Sequence, residues 1–428
     1  MLARVLLVAA MLLTTAVQAA TTHTNATTKK AGGGAGGNVP LDLVLLSDAQ
    51  GVAKGAVCLD GTNPGFYYAK GSGSGANTWV LYFKGGGWCY NEASCAKRTH
   101  GALGSSKHFA PTFAFSGIMD SQASVNPTFY NANRVILWYC DGASFSGNAD
   151  AVNNVTGTPL HFRGRRVLDA LLDTLLDARG PYGLGDARAV LLAGGSAGGL
   201  AAFLHADYVA SRMPKGVAKF KVSPVSGFFL LHDDDASPPV PLYPDEMQYV
   251  FRMQNSTGGV NARCVESINA EDDQWRCIFA NYSYAHTQSP IFPMNSAIDA
   301  WQMGNIWKGD SSCAQQNFAK CTPGQVADLN GYMADFLRDL ARSATASRPG
   351  NGAFIESCLE HCGEQSARNF EGYKLRGVTM QEAHTKWWAS DGTDPAATHT
   401  YLPGCTLHAA APHQCNPSCS KRRGNEHA

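Results

Sequence analysis

One serine in this chain stands where a nucleophile could. Ser196 lies in Gly194-Gly-Ser-Ala-Gly-Gly, directly after the apolar run Ala189-Val-Leu-Leu-Ala and directly before Leu200-Ala-Ala-Phe-Leu-His, which has helical character. The spacing G-x-S-x-G suits a strand that turns sharply into a helix, a turn that holds a serine hydroxyl above the carboxyl edge of a sheet and leaves no room for neighbouring side chains. A plainer use of the same residues is a glycine-rich turn whose serine caps the helix.

A second glycine run, Lys84-Gly-Gly-Gly-Trp88, follows the strand-like Thr78-Trp-Val-Leu-Tyr-Phe. Consecutive glycines after a buried strand can turn backbone N–H groups toward a developing oxyanion, with the N–H of Ala197 as the other half. The run lacks the spacing of a phosphate-cradling loop, and a structural turn is the alternative. A serine of this kind needs a base and an orienting carboxylate, in chain order Ser, Asp or Glu, His. The histidines after Ser196 are His205, His232, His286, His361, His384, His399, His408, His413 and His427. His361 follows the strand-like Gly352-Ala-Phe-Ile-Glu and is bracketed by Cys358 and Cys362, which could lock its loop, and Asp299 follows the apolar run that begins at Ile291. Spacing alone leaves each of these open to a surface or core role. His384 is the main competitor, near Trp387 and Trp388, but its segment has helical spacing and no preceding strand. With His361 as base, activity is expected to rise with pH through one ionisation at roughly pH 6 to 7.

These groups require strands that end together. Asn133-Arg-Val-Ile-Leu-Trp-Tyr-Cys reads as a strand, residues 165–177 as an amphipathic helix, then come the serine strand, its helix, and the strand Lys219-Phe-Lys-Val-Ser-Pro-Val. Strand, helix, strand is a parallel crossover, so the order is α/β, a mostly parallel central sheet with helices on both faces. Around residues 230–290 the alternation lapses, which reads as a cap-like insertion that selects substrate.

The chain has 428 residues, 44% of them hydrophobic, and 34 basic against 34 acidic side chains, so it can bury a large core and has no electrostatic reason to seek nucleic acid. Residues 1–19 read as a secretory signal, residues 20–39 as a disordered Thr- and Gly-rich leader, and residues 40–428 as a single catalytic domain. No later stretch is apolar for long enough to make a transmembrane helix. The thirteen cysteines fit disulfides in an exported protein, with at least one left unpaired; zinc is the weaker reading, because no two C-x-x-C pairs occur at finger spacing. Asn25, Asn154, Asn255 and Asn281 head glycosylation sequons.

Lys84-Gly-Gly-Gly-Trp-Cys-Tyr-Asn, Tyr139-Cys-Asp-Gly-Ala-Ser-Phe-Ser-Gly, Phe162-Arg-Gly, Gly195-Ser-Ala-Gly-Gly-Leu-Ala, Ile291-Phe-Pro with Asp299-Ala-Trp-Gln, and Ser357-Cys-Leu-Glu-His-Cys together resemble the successive blocks of the pectin acetylesterase family, which also includes the Notum-type carboxylesterases. The resemblance runs from about Pro40 to Cys419 and lies closer to the pectin-esterase branch. It implies an α/β-hydrolase-like fold with Ser196 as nucleophile, Asp299 as orienting acid and His361 as base. Gly86, Gly87 and Ala197 would surround the oxyanion, and Cys89 would pair with Cys95. Gly195 departs from the cysteine or serine common there. The implied protein is a secreted serine esterase, expected to be monomeric, that removes acetyl groups from a cell-wall polysaccharide, most simply pectin, without metal or organic cofactor. Deacylation of a lipid-modified protein and non-catalytic carbohydrate binding are the alternatives.

Overall fold

The computed structural model describes residues 37–232, 243–307, 321–343, 350–391, 399–404 and 416–419. The expected signal segment, most of the leader, Cys313, Cys405, Cys415, His408, His413 and His427 lie outside the described residues.

Ten strands form one sheet: β1 (Leu41–Leu45), β2 (Gly65–Ala69), β3 (Thr78–Phe83), β4 (Thr112–Phe113), β5 (Asn133–Leu137), β6 (Ala189–Gly195), β7 (Lys219–Val225), β8 (Met294–Ser296), β9 (Gly352–Glu356) and, after a small separate hairpin of β10 (Lys374–Leu375) and β11 (Val378–Thr379), β12 (His399–Tyr401). Their spatial order is β12-β9-β8-β7-β6-β3-β5-β2-β1-β4. From β12 to β5 every pairing is parallel, and β2, β1 and β4 extend the sheet antiparallel at one edge.

The central strands read as unbroken apolar runs because both of their faces are covered. Trp79, Leu81 and Phe83 of β3 and Val190 and Leu192 of β6 enter one core, while Val80 and Tyr82, with Leu191 and Ala193, enter the other. The first core is closed by α2 (Gly164–Leu176), which buries Val167, Leu168, Leu171, Leu172 and Leu175, and by α3 (Ala197–Arg212). The second is closed in part by the helix Met380–Ala389 through Ala383, Trp387 and Trp388. Each large apolar side chain removed from water contributes about 1.5–3 kcal/mol. The outer-face pairs Arg212–Asp173 (2.6 Å) and Arg165–Asp169 (3.4 Å) are partly exposed and add roughly 0.2–1 kcal/mol each.

Where the alternation lapses, Tyr243–Met253, Ala262–Ser267 and Ala280–His286 are helices, the last packing on α3. A disulfide joins Cys264 to Cys277 across this segment. The strand read over residues 133–140 pairs only to Leu137, and Trp138 to Cys140 lead into the loop beyond it.

Candidate active site

Parallel pairing brings the carboxyl ends of β3, β6 and β7 side by side, with Gly194 in register with Phe83 and Pro224. Ser196 follows at once, with φ +59° and ψ −128°, a conformation that costs a residue with a side chain roughly 1–3 kcal/mol. Its N–H donates to Val225 O at 2.9 Å, which fastens the turn to β7. The turn is possible only without neighbouring side chains: a Cβ on Gly198 would lie 2.1 Å from Phe83 O. Gly195 also faces packed atoms, since a Cβ there would meet Tyr82 Oη at 2.3 Å and Gln365 Nε2 at 2.5 Å.

The glycine loop after β3 closes over this turn. A Cβ on Gly85 would lie 2.1 Å from Gly195 O and 3.0 Å from Ser196 Cβ, so Gly85 sets how near the loop can come. Gly86 and Gly87 have φ +152° and +63°. The N–H groups of Gly86, Gly87 and Ala197 have no hydrogen-bond acceptor among the described residues, Ala197 being at the first position of α3, where a helix leaves its donors free. The Gly87 carbonyl is held by Tyr139 Oη at 2.8 Å. Trp88 Nε1 donates to Ser144 Oγ at 2.8 Å, and that hydroxyl donates to Ala197 O at 2.7 Å, so one serine ties the glycine loop to the start of α3. Ser144 and Phe145 both have positive φ, and Asp141 holds that loop by accepting from Ala143 N and Phe145 N at 3.1 and 2.9 Å. The resemblance blocks contained Ser144 and Tyr139, but nothing in their spacing marked them as supports.

Asp299 and His361 come together. Asp299 is 1% exposed and caps the short helix Ala300–Gln302, accepting from Trp301 N at 2.9 Å and Gln302 N at 3.1 Å. His361 Nδ1 lies 2.9 and 2.8 Å from the two carboxylate oxygens, a pairing that leaves Nε2 as the ring nitrogen not engaged by Asp299. The loop carrying His361 is fixed by Ala300 N donating to Glu360 O at 3.1 Å and by Cys362 N donating to Ser226 Oγ at 2.9 Å. Ser226 follows Val225, the acceptor for Ser196 N, so base loop and serine turn share one support. The Ser196 hydroxyl itself makes no hydrogen bond to His361, and catalytic links of this kind are often long before substrate arrives. Burial opposes a charge on the His361 ring, but the Asp299 carboxylate and the neighbouring Cys362 sulfur together favour one, and the pKa is raised above the ordinary histidine range. A carboxylate so placed favours the imidazolium, and this moves the ionisation expected of the ring upward.

Two disulfides bear on the site. Cys89 and Cys95 are joined directly behind the glycine loop, and Cys58 is joined to Cys140. The expectation that Cys358 and Cys362 lock the His361 loop between them is overturned. Cys358 pairs with Cys419, 61 residues away in sequence, and Cys362 is a free thiol, because its backbone (φ +58°) departs toward Ser226.

The rival histidines stand elsewhere. His384 is 2% exposed in the second core, against Phe292 and Trp387, and burial pulls its pKa down to about 3. His205 is buried in α3 with Nε2 3.1 Å from Ser144 O, and burial pulls it to about 3 as well. Sequence reasoning missed the aromatic wall beside the base. Trp88, Phe229 and Trp301 meet at centroid distances of 4.8, 5.2 and 5.6 Å, and Phe229 and Trp301 lie 6.4 and 6.5 Å from the His361 ring. Trp88 and Trp301 adjoin the motif residues, which is the only sequence signal they carried.

The chain resembles known proteins over most of its length. Pectin acetylesterase 11 of Arabidopsis thaliana is 36% identical over 380 residues, spanning 86% of this chain and 90% of the relative. The palmitoleoyl-protein carboxylesterase NOTUM of Homo sapiens is 29% identical, over 85% of this chain and 70% of the relative. The solved structure of the Wnt deacylase Notum from Drosophila superposes with a TM-score of 0.72 at 22% identity, covering 89% of this chain and all of that one, which establishes the α/β-hydrolase-like fold. The model of the family described as pectinacetylesterase matches residues 36–420, and the chain accordingly belongs to this family of carboxylic ester hydrolases.

Proposed function

We propose that the protein is a secreted, monomeric serine esterase that removes acetyl groups from cell-wall polysaccharide, with pectin as the foremost substrate. The observation that carries the mechanism is the His361–Asp299 pair, 2.8 Å at its shortest, on a loop that shares its support with the strained Ser196 turn. In this reading Ser196 Oγ attacks the acetyl carbonyl carbon as His361 Nε2 takes the hydroxyl proton, and Asp299 stabilises the resulting imidazolium. The free N–H groups of Gly86, Gly87 and Ala197 receive the oxyanion, each worth about 3 kcal/mol. The sugar oxygen leaves with the proton from His361. Water, deprotonated by the same ring, then cleaves the acetyl-serine and releases acetate.

The family and the identity to the plant pectin acetylesterases support the acetylated polysaccharide as substrate. The higher identity to the pectin acetylesterases than to the palmitoleoyl-protein carboxylesterases favours a short acyl group. The test is acetate release from acetylated pectin and xylan, together with turnover of p-nitrophenyl esters of increasing chain length. Acetate release and a rate that falls beyond short acyl chains are expected. Preference for long chains, or no acetate from either polymer, overturns the proposal.

A further inference from the structure

Arg98 ends the helix Glu92–Arg98, which the disulfide from Cys95 to Cys89 fastens directly behind the glycine loop. Its side chain is half-buried and turns back toward that loop. Nε donates to Leu103 O at 2.9 Å, and Nη2 reaches Gly87 O at 3.4 Å, the carbonyl that Tyr139 Oη already holds at 2.8 Å. The guanidinium carbon lies 5.0 Å from the centroid of the Tyr139 ring, so arginine and tyrosine approach one carbonyl together. Leu103, whose carbonyl Arg98 grips, fills the space beside the loop, since a Cβ on Gly86 would lie 2.7 Å from each of its methyl carbons. A single side chain thus touches both the segment packed on Gly86 and the peptide that follows Gly87.

Charge points the same way. The Arg98 donors go to backbone carbonyls and not to a carboxylate among the described residues. The acid that faces Arg98 is Asp141, which is fully buried; burial pushes its carboxyl up to about 6, and the guanidinium opposes that rise. A buried carboxylate deprived of its nearby cation is strongly unfavourable. This carboxylate holds the loop of Ser144 by accepting from Ala143 N and Phe145 N, and Ser144 ties Trp88 to Ala197. Both sides of the proposed oxyanion site, the glycine loop and the start of α3, therefore lead back to one guanidinium.

We propose that Arg98 is a positioning residue for ester hydrolysis, holding the Gly86 and Gly87 N–H groups where the oxyanion develops and balancing the Asp141 charge behind them. The inference rests on the serine esterase reading and adds to it a residue outside the triad. Arg98 acts through the loop and touches no reacting atom. Its contribution is made in the transition state, so it belongs in kcat and not in KM.

The test measures kcat, KM and inhibition by phenylboronic acid, using the full enzyme on p-nitrophenyl acetate. When the inhibitor binds, Ser196 Oγ bonds to boron, the hydroxyl proton passes to His361, and the tetrahedral boron carries the negative charge that the oxyanion would carry. Loss of a whole oxyanion donor costs about 10²- to 10³-fold in kcat, and a support one step behind should cost less. Arg98→Met is expected to lower kcat by about tenfold and to raise the boronate inhibition constant by a similar factor, with KM within about twofold of wild type. Arg98→Lys keeps the charge but replaces the planar fork with a single point, and should fall between the two. Unchanged boronate inhibition in folded Arg98→Met overturns the proposal whatever kcat does, and so does a change confined to KM. If Arg98→Met does not fold, Arg98→Lys decides alone, and wild-type kcat and boronate inhibition in that variant overturn the proposal. Failure of the underlying reading looks different: a wild type that the boronate does not inhibit, or Ser196→Ala with its turnover intact, removes both, whereas boronate binding indifferent to Arg98→Met removes only the role of Arg98.

Discussion

His361 and His384 both stand among aromatic rings, yet their surroundings drive them in opposite directions. Around His384 the rings of Phe129, Phe292 and Trp387 lie within 6.0 Å, Lys221 adds a like charge, and the pKa falls to about 3. Around His361, Phe229 and Trp301 are only slightly farther, but the buried Asp299 carboxylate reverses the sign. Aromatic burial by itself strips a histidine of its proton. What separates a core histidine from a candidate base here is one acid held by two backbone N–H groups.

The sharpest way to break this contrast is to remove each ring. His361→Ala and Ser196→Ala should each lower kcat on p-nitrophenyl acetate by about 10³- to 10⁶-fold, and the double variant should be little worse than either single one. Loss of turnover in His384→Ala with His361→Ala largely active would reverse the assignment. Next in size, Asp299→Asn should cost about 10²- to 10⁴-fold in kcat. The base works when neutral, so a raised pKa puts the acid limb of kcat/KM above the ordinary histidine range. Without the carboxylate, the main influence opposing burial is lost and the limb should move to lower pH. A limb that stays in place in Asp299→Asn removes the electrostatic explanation. Gly85→Ala should cost about 10²-fold in kcat, because its Cβ, 2.1 Å from Gly195 O, must displace the glycine loop proposed to receive the oxyanion. The smallest effect on turnover belongs to His384→Ala, expected within about threefold of wild type, although the cavity it leaves should lower stability by about 2–4 kcal/mol in denaturant titration. Unchanged stability would mean that His384 is not the core residue its packing indicates.

The parts of the molecule that could be read from sequence are those where one local pattern has one physical meaning. Strands β3 and β6 are apolar on both faces because they lie mid-sheet, and the glycines around Ser196 are forced by carbonyls about 2 Å from where their side chains would begin. That Ser196, Asp299 and His361 each follow a strand was legible for the same reason. Residues whose roles arise only from distant contact were not legible. Ser144 bridges Trp88 to Ala197, 53 residues away, Cys358 finds Cys419 across 61 residues, and Tyr82 meets Glu364 across 282. The helix Pro323–Arg342 had a signal that went unread: Thr322-Pro-Gly-Gln is a capping box, with Thr322 N donating to Gln325 Oε1 at 2.8 Å. The antiparallel edge of β1, β2 and β4 was hidden by short strands, β4 being two residues long.

The Cys358–Cys419 bond gives the site an order in time. The strands that shape the Ser196 turn, β3, β6 and β7, all precede the His361 loop in the chain. The loop that carries the base is tethered by a cysteine that is made 58 residues after His361, counting 419 minus 361. In the proposed reading, the loop that would carry the base gains this covalent tether only after Cys419 has been made and oxidised. A Cys419→Ser chain should show this as a base loop cut faster by protease and a lower kcat, with the Ser196 turn intact.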